Sequence, residues 1–258
     1  MKQGFDNKIV SYEHIHSIKP EDWKELIKAI NPQPKEKILD AFCGYGAVGK
    51  SILEKEKTVE LWLNDESEVQ IKRAKENLPD LSKERFILGH FPKVNLEKES
   101  FDKVTIKMGL HEVPKEEQKE VIKKVHEVLK PKGKLIIWNI LLEKDNQKDF
   151  RKIFKEKDKL AGFENLAKNR YFFREDELIN NIKIAGFTKF EIVSEGNLIF
   201  STKKRLESEL KNDKDRLDKL NKFIRKTFPE NLKQKLNYKD KGDDIQFNII
   251  KKIFVIEK

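Results

Sequence analysis

Apolar positions along the chain change their period in a regular way. In "KPEDWKELIKAI", Trp23, Leu26, Ile27 and Ile30 share one helical face, and Pro20 suits a first turn. Beyond "NPQP", short apolar runs alternate with amphipathic stretches. "KIL", "VELWLN", "RFILGH", "FDKVTIKMG" and "KLIIWNI" read as strands. "AVGKSILEK", "SEVQIKRAKENL" and "KEEQKEVIKKVHEVLK" read as helices, the last ended by Pro131 and Gly133. This alternation predicts an α/β, doubly wound, mostly parallel sheet with its ligand at the carboxyl ends of the strands.

After Leu142 the pattern changes. "KDNQKDFRKIFKEKDKL" is helical, "AGFENLAKNRYFF" irregular and aromatic, and "REDELINNIKIAGF" a helix ending at Gly186. "TKFEIVSEGNLIFST" reads as a long strand, residues 204 to about 240 as charged helix, and "IQFNIIKKIFVIEK" as a closing strand. The expectation is one domain over 1–258. It comprises an N-terminal lid and helix (1–33), a core (34–202), a charged helical insertion (203–242) and a closing strand (243–258). The insertion then separates two antiparallel strands and puts Phe254 and Ile256 inside the sheet. The alternative pairs "EIVS" with "LIFS" through Gly196-Asn197 and leaves the tail as an appendage.

Composition narrows the setting. The longest apolar stretch, "LIIWNILL", is strand-sized, so no membrane span is expected. "MKQGFDNK" lacks the apolar core of a signal peptide. With Cys43 alone, neither an internal disulfide nor a thiolate zinc cluster is expected, and the location read from this is cytoplasmic. A net charge of +10 would suit an acidic partner such as RNA. Lysine is spread along the whole chain, however, without the clustered arginine and aromatics of a nucleic-acid site, so that partner is not favoured.

"ILDAFCGYGAVGKSI" carries the chemistry. Gly44, Gly46 and Gly49 form a G-x-G-x-x-G turn, which suits a dinucleotide, yet Asp40 precedes it. A carboxylate at the mouth repels a pyrophosphate and attracts a cationic ligand such as S-adenosylmethionine, with its ammonium and sulfonium. That weighs against a nicotinamide-dependent oxidoreductase. Asp65, 19 residues beyond Gly46, stands where a carboxylate accepts ribose hydroxyl protons for either cofactor.

At these residues the chain resembles the class I S-adenosylmethionine-dependent methyltransferases, from about Trp23 to Gly186. "LDAFCGYG" is similar to their D-x-x-x-G-x-G block. "LWLNDESEVQIKRAKENL" is similar to their second strand and helix. The stretch "SFDKVTIKMG…LKPKGKLIIWNI" is similar to the one bearing their "LKPGG" turn, with Lys132 in place of the first glycine. The ubiquinone and menaquinone biosynthesis branch looks most similar. The resemblance implies a Rossmann-like, seven-stranded sheet with an antiparallel last strand and S-adenosyl-L-methionine as cofactor. It implies cofactor contacts from Asp40, Phe42, Gly44, Gly46, Asp65, Glu66, His90, Phe91 and Met108. "LGHF" departs from the family's Gly-Asp-Ala, so either His90 Nδ1, a backbone carbonyl or packing holds the adenine.

Catalytic candidates lie after the fourth strand. In "KMGLHEVP", His111 is a general base or a substrate hydrogen-bond partner, or it only braces the loop. Glu112 reads as a helix-start or surface carboxylate. Trp138, Arg170 and Tyr171, with Tyr12 and His16 of the N-terminal lid, are substrate candidates. His14 and His16 could take a metal, but no third ligand stands at a suitable spacing, so none is expected. The expected function is methyl transfer to a small-molecule acceptor. The alternative is an RNA or protein acceptor docked on 203–242.

Overall fold

Five apolar runs lie parallel, joined by crossovers that place helices on the faces of the sheet. They are β1 (Lys37–Ala41), β2 (Glu60–Asp65), β3 (Phe86–Leu88), β4 (Phe101–Lys107) and β5 (Leu129–Ile140). The computed structural model describes residues 18–258. Tyr12, His14 and His16 lie outside the described residues.

Helices cover both faces. One face carries α1 (Pro20–Ile30), α2 (Ala47–Lys55), α3 (Glu68–Asn77) and α5 (Gln147–Leu160). The other carries α4 (Lys115–Val128) and α7 (Glu175–Ile184). Helix α4 stops before Pro131 because Leu129 already pairs with Phe101. The stretch expected to be irregular holds one short helix, α6 (Glu164–Asn169).

With β6 at Lys189–Ser201 and β8 at Ile245–Glu257, the sheet order is β3-β2-β1-β4-β5-β8-β6. The winding reverses between β1 and β4, which opens a crevice at their carboxyl ends. On the other side β6 and β8 run antiparallel, with β8 between β5 and β6. Between them come α8 (Thr202–Ser208) and α9 (Lys214–Thr227). Gly196 and Asn197 are mid-strand, paired with Lys251 and Ile250, so the hairpin alternative is not the one adopted. Phe254 and Ile256 are fully buried. The expected seven strands gain an eighth, the two-residue β7 (Lys239–Asp240), which pairs with Ile245 and Gln246.

Candidate active site

The turn after β1 takes left-handed backbone three times, at Phe42 (φ 59°), Gly44 (φ 54°) and Gly46 (φ 81°). A Cβ on Gly46 would press on Leu78, Ala74 and Leu63 at 3.2–3.3 Å, so this glycine lets the start of α2 pack against α3 and β2. Gly44 differs: a Cβ there would meet nothing within 4 Å. Its bare face opens on the crevice and leaves room for close approach of a ligand. Phe42 holds its conformation without a glycine's freedom, and Met108 (φ 57°) does the same at the end of β4. The ring of Phe42 leans on buried Phe91 at 5.7 Å. Strain of this kind on both rims needs support from the surrounding packing and marks a site of function.

Asp65 closes the crevice at the end of β2. Its Oδ2 accepts from Gly44 N (2.8 Å) and its Oδ1 from Ser67 N (2.9 Å). The carboxylate is half-buried and keeps lone pairs for further donors. Burial raises its pKa above the ordinary value. Asn64, which the sequence reading missed, braces this corner. Its Nδ2 donates to the carbonyls of Ile87 (3.0 Å) and Gly89 (2.9 Å), and its own carbonyl accepts from Cys43 N (2.9 Å).

The far side of the crevice follows β4. His111 is 2% exposed and stacks on Phe172 with ring centroids 4.7 Å apart. Its Nδ1 lies 2.7 Å from Asn139 Oδ1. That oxygen can only accept, so Nδ1 carries the proton and, in the neutral ring, Nε2 is the acceptor nitrogen. His111 lines a small cavity together with Glu112, Lys157, Arg170, Arg205 and Glu209, between walls of Phe154, Phe172 and Phe200. Arg170 pairs with Glu112 and Asp158, each at 3.2 Å. Lys157 pairs with Asp158 and Glu209, each at 2.6 Å.

Residues 38–133 match the family model described as a methyltransferase domain. Over that stretch the chain is similar to methyltransferase domains. It is 31% identical over 143 residues to the demethylmenaquinone methyltransferase of Oceanobacillus iheyensis, covering 51% of this chain and 58% of that protein. It is 29% identical over 140 residues to the ubiquinone/menaquinone biosynthesis C-methyltransferase of Rickettsia prowazekii, covering 51% and 56%. The chain thus spans a little over half the length of these two curated relatives. A candidate methyltransferase of Bacillus halodurans C-125 shares the fold, with a TM-score of 0.76 at 17% identity over 92% of this chain and 99% of that one.

Several expected contacts change place. His90 Nδ1 is held by Glu66 (3.0 Å) and its Nε2 by Glu117 (2.9 Å). Both ring nitrogens of His90 are therefore engaged by carboxylates, in place of the expected adenine contact. Trp138 is fully buried, edge-on to Trp23 at 6.1 Å, so it belongs to the core and not to a substrate surface. Tyr171 turns to the opposite face from Phe172. Its hydroxyl donates to Glu177 (2.7 Å), and the Arg151 guanidinium covers its ring at 3.5 Å. Glu112 is no surface carboxylate, because Arg170 draws it into the cavity wall. Lys157, Asp158, Arg205 and Glu209 escaped the sequence reading. A signal existed for the first two: Phe150, Ile153, Phe154, Lys157 and Asp158 fall on one helical face.

Asp40 also moves. It was expected at the mouth, yet it is 1% exposed beneath the turn. Oδ1 accepts from Thr105 Oγ1 (3.0 Å) and Oδ2 from Gly49 N (3.2 Å), so it ties β1 to β4 and to the first turn of α2. Burial pushes its pKa up to about 7, against the pull of those hydrogen bonds and of Lys107. A carboxyl that binds a proton near neutrality discriminates poorly by charge, and the electrostatic case against a pyrophosphate weakens. Stability follows by linkage. The folded chain keeps this proton between about pH 4 and 7 while the unfolded chain loses it, so Asp40's contribution is full below that window and lost as pH rises through it. Three pH units correspond to a free energy on the order of 4 kcal/mol. Relative to Asp40→Asn, the wild-type melting temperature should fall steadily from pH 4 to 7. Parallel curves would show that Asp40 titrates normally.

Proposed function

We propose that this chain transfers the methyl group of S-adenosyl-L-methionine to a small-molecule acceptor bound beside His111. The observation that carries the proposal is one juxtaposition. The open face of Gly44 and the half-buried Asp65 carboxylate stand on one side of the switch-point crevice, and the His111 cavity stands on the other. Asp65 would accept from the ribose hydroxyls, and the Gly44 turn would allow close approach of the cofactor. When bound, the cofactor supplies a methyl group already activated by its sulfonium. The remaining task for the protein is alignment and, for a protonated acceptor, removal of one proton. His111 Nε2 suits that step, and Asn139 fixes the tautomer. Both curated relatives are named for methylation in quinone biosynthesis, which supports a small acceptor. Insertion helix α8 also supports this reading, since Arg205 faces the cavity and not an outer docking surface.

Calorimetry tests the cofactor. S-adenosylhomocysteine should bind and NAD should not. Asp65→Ala should weaken binding by about 10- to 100-fold, as expected for loss of charge-assisted hydrogen bonds. Equal binding of NAD, or an Asp65→Ala variant with wild-type affinity, would refute the assignment.

A further inference from the structure

Gln118, near the start of α4, is fully buried, and the methyl-transfer reading makes no use of it. Its Nε2 donates to three backbone carbonyls: Leu110 (3.0 Å), Val113 (2.9 Å) and Tyr171 (2.9 Å). Only a donor suits that place, because an amide oxygen there would face three acceptors. The chemistry therefore fixes which end of the amide is which, and two protons serve three carbonyls. Oε1 is buried and accepts from no donor among the described residues, so the side chain is held by what its nitrogen grips.

Those carbonyls belong to two segments, and both bear on His111. Leu110 begins the short turn that carries His111 (Leu110–Glu112), and Val113 follows it. Tyr171 precedes Phe172, the ring on which His111 stacks at 4.7 Å. The segments also join backbone to backbone, since Tyr171 N donates to the His111 carbonyl (2.9 Å). One amide thus ties the backbone on both sides of His111, and the segment that bears its stacking partner, to α4. The contact most sensitive to this is the one between His111 Nδ1 and Asn139 Oδ1 at 2.7 Å. Asn139 lies on β5, so the distance depends on where the turn sits relative to the sheet. A displacement of the turn on the order of 1 Å takes that bond out of hydrogen-bond range.

We propose that Gln118 is the positioning residue of His111: its amide holds the turn so that the imidazole keeps Nδ1 on Asn139 and therefore one tautomer. This rests on the role given to His111 above, and the measurements let the two fail separately. Full-length protein labelled with ¹⁵N at histidine is followed by NMR at about pH 8, where an ordinary imidazole is neutral. His111→Gln identifies the His111 signals. In the wild type this ring should show a single tautomer with the proton on Nδ1. Gln118→Met keeps the side-chain length and removes both donors, and it should give a mixture of the two tautomers. His126 is the control, because it lies on the same helix with its ring against Phe187 at 5.0 Å. It should stay unchanged, whereas a role confined to anchoring α4 would disturb both rings. Hydrogen exchange tests the wild type with no variant. The Gln118 amide protons and the His111 Nδ1 proton should exchange together as denaturant is added, since one local opening releases both. A His111 proton that exchanges freely while those of Gln118 stay protected overturns the proposal. So does a single tautomer retained in Gln118→Met, a mixture already present in the wild type, or equal disturbance of His126. S-adenosylhomocysteine is titrated in parallel by calorimetry. Its affinity should stay within about twofold in Gln118→Met, whose lost hydrogen bonds reach neither the Gly44 turn nor Asp65. If the wild type fails to bind it, the cofactor reading falls while the His111 result stands.

Discussion

Deletion of Lys251–Lys258 should leave a chain with no cooperative thermal transition. Each of the seven partners of β5 on β8, from Lys251 to Glu257, lies in that segment, and the same residues pair with the first half of β6. The deletion therefore cuts through the sheet between two strands and does not trim an edge. Ile253, Phe254 and Ile256 leave the core with it, each at most 1% exposed. Phe254→Ala alone should cost about 3–5 kcal/mol, a large share of the roughly 5–15 kcal/mol that holds a typical domain together. Circular dichroism melts of the deletion and of Phe254→Ala check both statements. An unchanged melting temperature in the deletion would mean that the tail is an appendage and that β5 and β6 find other partners.

This closing strand was legible because its signal is local. "IQFNIIKKIFVIEK" places alternate residues on alternate faces, and Ile245, Phe247 and Ile249 are buried while Gln246 and Asn248 are only partly so. The β-α alternation before it was legible for the same reason, as were Gly44 and Asp65, whose positions follow from strand ends. Trp138 was not. The end of β5 is buried on both faces, so period-2 alternation cannot tell a core position from a site position. Asp40 and His90 were misplaced because their partners come from afar. Thr105 reaches Asp40 only once β4 lies beside β1, and Glu117 reaches His90 only once α4 packs. The ionic cavity was harder still. Arg170 stood out beside its aromatics, but Arg205 and Glu209 are ordinary charges in a charged stretch. Their inward direction depends on where α6 and α8 dock.

The largest effect on chemistry should come from His111. With a protonated oxygen or nitrogen acceptor, His111→Ala should lower the methyl-transfer rate by about 100-fold or more and leave S-adenosylhomocysteine affinity nearly unchanged. Position argues for this, since the residue follows the end of β4 at the switch-point crevice and its ring lines the small cavity there. Its hydrogen bond argues further. Asn139 Oδ1 at 2.7 Å requires the proton on Nδ1, so that in the neutral ring the basic nitrogen is Nε2. The stack on Phe172 holds the ring plane. Asn139→Ala should then reproduce part of the loss by releasing the tautomer, without touching the acceptor. His111→Gln, which keeps a polar group but has no basic nitrogen, separates the roles. If it restores the Michaelis constant while the rate stays low, His111 moves a proton. If it restores both, His111 only orients the acceptor. Wild-type kinetics in His111→Ala would remove the residue from the reaction and leave it as a brace that joins the β4 turn to Tyr171 through its backbone carbonyl.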